Sequence, residues 1–258
     1  MAASTPSPLP RPGGGIRTGR VLQTTISVAI LLATLFTGFS PKMFSTNFGS
    51  ILSLLLTPQP EVNPAVSTSQ KVLRIGIVSG HWGNDSGSVC ANGTTEQEVH
   101  LKIASLVRQK LAAQGFQVDL LQEFDPRLNG YVAAALVSIH NDSCDYINEQ
   151  ATGFKVASAV ASRDPNLSTR LVSCLRDRYG RLTGLPFHTG SITVDMTDYH
   201  AFREIDPATT AAIIETGFLN KDYAILTGHP DMVADGVVAG IMCFVNNENV
   251  APAPTLTP

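Results

Sequence analysis

Short apolar runs alternate with longer helical patterns between residues 72 and 245, and this alternation restricts the fold more than any other feature. The short runs are rich in valine and isoleucine, which is typical of strands buried on both faces of a sheet. We predict strands over residues 72–79, 116–121, 133–139, 154–160 and 210–215. Apolar residues at helical spacing predict helices over 96–114, 165–181 and 231–245. This order indicates an α/β domain with a mainly parallel central sheet and helices on both faces.

Two histidines and two glutamates lie beside these predicted elements. His81 and His140 each follow a predicted strand, Glu215 ends another, and Glu96 begins the first helix. In an open parallel sheet the ligand crevice lies outside the carboxyl ends of the strands, so we expect the four side chains to converge on one rim. Two neutral imidazoles and one carboxylate are a common catalytic zinc set, because they leave a coordination position open for water. We therefore predict that His81, Glu96 and His140 bind one Zn²⁺ ion.

The segments IGIVSGH, TTEQE, LVSIH and IIETGF, which carry these four residues in this order, provide a family resemblance. Together they resemble the zinc-dependent N-acetylmuramoyl-L-alanine amidases over roughly residues 72–247. The resemblance implies a cell-wall hydrolase whose substrate is peptidoglycan and which cuts the amide bond between N-acetylmuramic acid and L-alanine. It also implies that His81, Glu96 and His140 bind the zinc ion and that Glu215 is the catalytic glutamate.

The chain departs from this family at two places. Members usually carry a longer, arginine-containing stretch between the second and third strands, where this chain has only residues 123–130. The family usually has a small residue and then asparagine after the second histidine, whereas Asn141 follows His140 directly and Asp142 comes next. The resemblance therefore does not extend to substrate contacts from these segments.

Several alternatives remain open from the residues alone. Glu98 is a rival to Glu96 as metal ligand, and His100 either faces solvent or lies behind the ligands. Glu215 could instead be a buried structural carboxylate paired with Arg203. Two other functions also fit the fold, namely another zinc amidohydrolase or peptidase and a non-catalytic wall-binding domain. Retention of all four site residues argues against the last.

The N-terminal part is of a different kind. Residues 21–39 form an apolar run without charge, which is long enough for a membrane-spanning helix. Arginines precede this run, so we predict a cytoplasmic tail over 1–20, a membrane anchor over 21–39 and an extracytoplasmic remainder. The remainder divides into a proline-rich linker over 40–70, the catalytic domain over 71–248 and a disordered tail over 249–258. A cleaved signal, which would release a secreted protein, is the alternative.

The net charge of −3 gives no basic face for nucleic acid, so we expect no nucleic-acid partner. In an exported domain, the four cysteines invite disulfides. If His81 and His140 share a metal, the loops that follow them are close, and we expect Cys90 to pair with Cys144. Cys174 and Cys243 are either buried thiols or a second disulfide.

The three remaining histidines have weaker signals. His188 falls in the predicted loop over 184–190, where it either reaches the site or, as we expect, lies at the surface, and His229 precedes a proline at the start of a predicted helix. His200 has no assigned role.

Overall fold

A five-stranded sheet organises residues 72–160 and 162–250, the part of the chain that the computed structural model describes. Its strands are β1 (Arg74–Ser79), β2 (Gln117–Leu121), β3 (Ala135–Asp142), β4 (Lys155–Ser158) and β5 (Thr210–Phe218). They lie in the order β2-β1-β3-β5-β4, and every neighbouring pair is parallel except β4 with β5. The predicted mainly parallel sheet is confirmed, with the fourth predicted strand as an antiparallel edge.

Three long helices match the predicted ones, and three short helices were not predicted. In chain order they are α1 (Glu96–Ala113), α2 (Pro165–Thr183), α3 (Val194–Thr197), α4 (His200–Glu204), α5 (Tyr223–Gly228) and α6 (Pro230–Val245). The long helices begin where local chemistry favours it. Thr95 and Glu98 form a reciprocal capping box at the start of α1, and Asp164 caps α2 ahead of Pro165.

The two faces of the sheet bury different sets of side chains because strand residues alternate in direction. Ile75 and Ile77 of β1 belong to a large core under α1, α2 and α6. Val78 points the other way, into a smaller core that α3, α4 and the turn Pro126–Leu128 help to close. Helices therefore lie on both faces, as predicted, with the long ones all on one face.

The strand order creates a crevice between β1 and β3. The chain leaves β1 for β2 on one side of it and then returns to β3 on the other side. In open α/β sheets such a reversal in strand order places the ligand site at the carboxyl ends of the two strands. His81 follows β1 and His140 lies in β3, so both histidines border this crevice.

Two disulfides join distant parts of the chain. Cys90 pairs with Cys144, as predicted, and this bond ties the loop after β1 to the loop after β3. Cys174 pairs with Cys243, which joins α2 to α6 and settles the open alternative in favour of a second bridge.

Within residues 72–160 and 162–250, no helix is both long and apolar enough to cross a membrane. The predicted cytoplasmic tail (1–20), anchor (21–39) and linker (40–70) lie outside the described residues. So do residues 251–258 of the predicted disordered tail.

Candidate metal centre

The structure brings His81, Glu96 and His140 together at the carboxyl edge of the sheet. One ligand atom from each lies within 4.8 Å of the other two. His81 Nε2 is 3.3 Å from Glu96 Oε1, and His140 Nε2 is buried with no hydrogen-bond partner among the described residues. A buried nitrogen left without a partner costs free energy unless another group binds it. The donor set and this nitrogen fit a metal ion between the three side chains.

Asp85 fixes the orientation of the His81 ring. Its Oδ1 lies 2.5 Å from His81 Nδ1, and because a carboxylate only accepts, Nδ1 is the donor. When Nε2 gives up its proton, the neutral ring has its lone pair on this nitrogen, which faces Glu96. A ligand histidine whose other ring nitrogen donates to a carboxylate is the usual arrangement in metal sites.

Glu96 is held in place by Ser88, which lies in the loop after β1. The Ser88 N–H donates to Glu96 Oε2 at 2.9 Å, which leaves Oε1 directed at the two histidines His81 and His100. Glu98, the rival ligand, accepts instead from the Thr95 N–H at 3.1 Å as part of the helix cap. The structure therefore places Glu96, and not Glu98, in the ligand cluster.

The charges at the site follow from burial and from these contacts. The hydrogen bond to Glu96 is the main cause that raises the pKa of His81 to about 9, against the effect of burial. Burial acts to raise the pKa of Glu96, but the His81 hydrogen bond and other contacts outweigh it and lower that pKa to about 2. Burial lowers the pKa of His140 to about 4, so this ring is neutral at pH 7. The site thus offers a carboxylate and a neutral imidazole to a cation.

Glu215 lies beside this cluster in β5. Its Cα is the register partner of His140 on β3, and its Oε2 is buried without a hydrogen-bond partner in the described part of the chain. Burial, with a smaller contribution from the charge of Asp142, raises the pKa of Glu215 to about 8. The carboxyl group is therefore poised to exchange a proton near neutral pH.

The cation near Glu215 is Lys155 and not Arg203, which instead contacts Asp198 at 3.4 Å. Lys155 is the register partner of Glu215 on the antiparallel edge strand, and it is buried. Its Nζ donates to Asp142 Oδ1 at 2.8 Å. The alternative pairing of Glu215 with Arg203 is therefore wrong.

His100 is completely buried, so the solvent-facing alternative for it is also wrong. Its Nε2 lies 3.3 Å from Glu96 Oε1, and its Nδ1 lies 3.4 Å from the Gly80 carbonyl. Burial lowers the pKa of His100 to about 3, so the ring is neutral and packs behind the Glu96 carboxylate.

His188 lies in a partly exposed turn, as predicted, where its Nδ1 is 2.7 Å from Ser191 Oγ. His229 lies immediately before α6, also as predicted. Neither residue belongs to the ligand cluster.

Sequence reasoning missed three residues at this site, namely Glu123, Tyr199 and His200. Glu123 Oε2 is 2.6 Å from the His81 backbone nitrogen and 3.9 Å from His140 Nε2. The rule that located the other residues also applies to Glu123, because it follows β2 at the same edge of the sheet. Tyr199 and His200 come from the short helical segment around α4, which carried no clear sequence signal.

Comparison with known proteins agrees with this fold. A family model described as N-acetylmuramoyl-L-alanine amidase matches residues 75–243, whereas no curated protein sequence matches. An amidase structure from Clostridium difficile 630 is similar, with a TM-score of 0.56, 22% identity and coverage of 69% of this chain and 99% of that one. The amidase Ami1 from Mycobacterium smegmatis is also similar, with a TM-score of 0.55 and 19% identity. The match covers 68% of this chain and 98% of that one.

A third similar structure is the CwlD amidase from Clostridioides difficile in complex with the GerS lipoprotein. Its TM-score is 0.55 at 20% identity, and the match covers 68% of this chain and all of that one. At these identities the structures show a common fold, whereas the family model covers well over half of the sequence. The chain belongs to the N-acetylmuramoyl-L-alanine amidase family of peptidoglycan hydrolases.

Proposed function

We propose that this amidase works with one Zn²⁺ ion held by His81, Glu96 and His140, and that Glu215 is its catalytic glutamate. The observation that carries the proposal is the convergence of three ligand atoms within 4.8 Å, beside a buried carboxyl group on the next strand. Two imidazoles and one carboxylate suit zinc, which accepts nitrogen and oxygen ligands and keeps an open position in catalytic sites.

Bound there, zinc supplies Lewis acidity that polarises the scissile carbonyl and activates water. Asp85 would hold His81 with Nε2 available to that ion, and the Ser88 N–H would hold Glu96 with Oε1 available to it. A cation in this position also lowers the pKa of the nearby Glu215 from its raised value, which keeps that carboxylate ionised near neutral pH.

Glu215 then transfers one proton. It accepts a proton from the attacking water as the water oxygen bonds to the carbonyl carbon of the lactyl group on N-acetylmuramic acid. It returns this proton to the L-alanine nitrogen as the carbon–nitrogen bond breaks. The products are a muramoyl carboxylic acid, which loses the second water proton to solvent, and a peptide with a free L-alanine amine. Burial of Glu215 favours acceptance of the proton from water, because it disfavours the charged carboxylate.

The substrate and the N-terminal sequence together place the reaction outside the cytoplasm. Peptidoglycan lies outside the cell membrane, and the uncharged run over 21–39 is long enough to anchor the enzyme there. We propose a membrane-anchored, extracytoplasmic amidase, with secretion after signal cleavage as the alternative. Immunoblotting of washed membranes and culture medium distinguishes the two, because only cleavage shortens the protein and releases it.

The test uses the full chain, purified in mild detergent and incubated with purified peptidoglycan. We expect wild type with one equivalent of zinc to release peptides that begin with L-alanine, detected by mass spectrometry. Glu215→Gln keeps the shape but cannot take a proton, so it should bind zinc normally and release less than a hundredth as much peptide. Glu149→Gln, a change at an exposed carboxylate, is the matched control and should keep full activity. Full activity of Glu215→Gln would contradict the proposed role.

A further inference from the structure

Glu123 joins the end of β2 to the loop that carries His81. Its backbone N–H donates to the Trp82 carbonyl at 3.0 Å, and its side-chain Oε2 accepts from the His81 backbone N–H at 2.6 Å. The residue is buried, with 6% of its surface exposed. One residue therefore makes both a backbone and a side-chain contact to the same two-residue segment.

The other carboxylate oxygen of Glu123 is equally well fixed. Oε1 accepts from the Tyr199 hydroxyl at 2.8 Å and lies 3.0 Å from His200 Nε2. The other ring nitrogen of His200, Nδ1, is 2.9 Å from Glu204 Oε1, so the imidazole is held between two carboxylates. Because both oxygens of Glu123 are engaged, its carboxylate has a single orientation.

The backbone of His81 needs such support. His81 has a φ of 60°, in the left-handed region, which costs a residue with a side chain about 1–2 kcal/mol. Glycine would relieve this strain, but glycine cannot supply an imidazole. The hydrogen bond from the His81 N–H to Glu123 opposes relaxation of the loop toward an unstrained conformation, which would move the ring away from Glu96.

The same group of residues also contacts the second histidine ligand. Glu123 Oε2 lies 3.9 Å from His140 Nε2, and the Tyr199 ring packs edge-on against the His140 ring at 5.4 Å between centroids. Tyr199 itself is held by its bond to Glu123. Glu123 thus acts on His81 through the backbone and on His140 through Tyr199.

We propose that Glu123, held by Tyr199 and His200, is a positioning residue that keeps His81 and His140 in the geometry that binds the metal. The proposal rests on the metal site described under the proposed function. It gives a role to the first residue of the short segment 123–130. The expected consequence is a loss of metal affinity when the carboxylate is removed.

The experiment measures zinc affinity of the full chain in mild detergent, by competition with a chromophoric chelator. Removing a group that orients metal ligands typically weakens binding 10–100-fold, which is the loss we expect for Glu123→Ala. Glu123→Gln retains an oxygen that can accept from the His81 N–H but loses the acceptor for the Tyr199 hydroxyl, so its affinity should fall about three- to tenfold, less than that of Glu123→Ala. Equal losses in the two variants would overturn the proposal, because they would mean that charge rather than position matters.

Cobalt provides a second readout that does not depend on activity. With Co²⁺ in place of zinc, the visible absorption bands report ligand geometry, and we expect them to shift in Glu123→Ala but not in Glu149→Ala, an exposed control. If Glu123→Ala does not fold, Tyr199→Phe tests the same network by removing one hydrogen bond, and we expect its zinc affinity to fall three- to tenfold. Unchanged affinity and unchanged bands would overturn the proposal.

These outcomes separate the two proposals. Failure of wild type to bind zinc would contradict the proposed function itself. Tight binding by wild type together with equally tight binding by Glu123→Ala would contradict only the positioning role.

Discussion

His140 and Glu215 are register partners on the adjacent parallel strands β3 and β5. Directly paired residues point to the same face of a sheet, so the backbone register itself sets the ligand histidine beside the buried glutamate. A shift of one residue in either strand would turn one of the two side chains to the opposite face. The spacing between the proposed metal ligand and the proposed proton carrier is therefore a property of the sheet.

Asp85 offers a direct test of how the His81 ring is oriented. In Asp85→Ala the ring loses the acceptor at Nδ1 and no longer favours the tautomer with its lone pair on Nε2. We expect zinc affinity to fall 10–100-fold, measured by chelator competition, with little change in the unfolding temperature of the metal-free protein. Asp145→Ala, at an exposed position in the loop after β3, serves as the control and should bind zinc as wild type does. Wild-type affinity in Asp85→Ala would show that the contact does not matter.

The two disulfides should be equally important for stability but not for metal binding. They close segments of 54 and 69 residues, for which chain-entropy arguments give similar stabilisation of about 4 kcal/mol. Only Cys90–Cys144 joins the loops that follow the two histidine ligands. Replacing both of its cysteines with serine should therefore weaken zinc binding, whereas the Cys174→Ser/Cys243→Ser variant should bind zinc normally. Chemical denaturation and chelator competition measure the two effects separately, and equal zinc affinity in both variants would refute the distinction.

The packing of α2 against α6 depends on close approach at Gly240. A Cβ at this position would lie 2.7 Å from the Leu175 Cα, which is backbone and cannot move aside easily. We expect Gly240→Ala to lower the free energy of unfolding by about 1–3 kcal/mol, even though alanine favours helices. Gly228→Ala is the control, because a Cβ there has no neighbour within 4 Å in the described structure, and it should be neutral or slightly stabilising. A stabilising effect of Gly240→Ala would contradict the close packing.

Asp125 should give part of the acid sensitivity of this domain. Its hydrogen bonds to the Arg127 guanidinium lower its pKa to about 2, from an ordinary value near 4. A lowered pKa means that the ionised carboxylate stabilises the fold above pH 4, and that this contribution is lost as the pH falls from about 4 to 2. Arg127 is more than half exposed, so screening by water limits the contribution to about 1 kcal/mol.

Asp125→Asn tests this directly. At pH 7 the variant should be less stable than wild type by about 1 kcal/mol, and this difference in the free energy of unfolding should shrink below pH 3. Thermal unfolding between pH 2 and pH 7 measures the effect. A constant difference across this range would mean that the charge of Asp125 is not responsible.

Much of this architecture could be predicted from the sequence because periodicity is a local property. β1, β3 and β5 each contain a short apolar run, and the helix starting at Glu96 carries its own capping box. The rule that ligands gather at the carboxyl ends of parallel strands then placed His81, Glu96, His140 and Glu215 on one rim without knowledge of the strand order.

The other features of the site could not be predicted, because they depend on contacts between segments that are distant in the sequence. Lys155 reads as an ordinary strand residue until β4 pairs antiparallel with β5 and places it opposite Glu215. Tyr199 and His200 reach Glu123 across more than 70 residues of sequence, from the N-cap and first residue of a five-residue helix that has too few turns for a periodic signal. The burial of His100 likewise follows from the packing of α1 on the sheet, which polar composition alone does not reveal.

We propose that one zinc ion lies between His81, Glu96 and His140. The most direct test is an anomalous-diffraction map from crystals of zinc-loaded protein, recorded on both sides of the zinc absorption edge. We predict a single strong peak within about 2.0–2.2 Å of one nitrogen from each histidine and one oxygen from Glu96. A peak at any other position, or no peak between these three side chains in protein with one equivalent of zinc, would contradict the account.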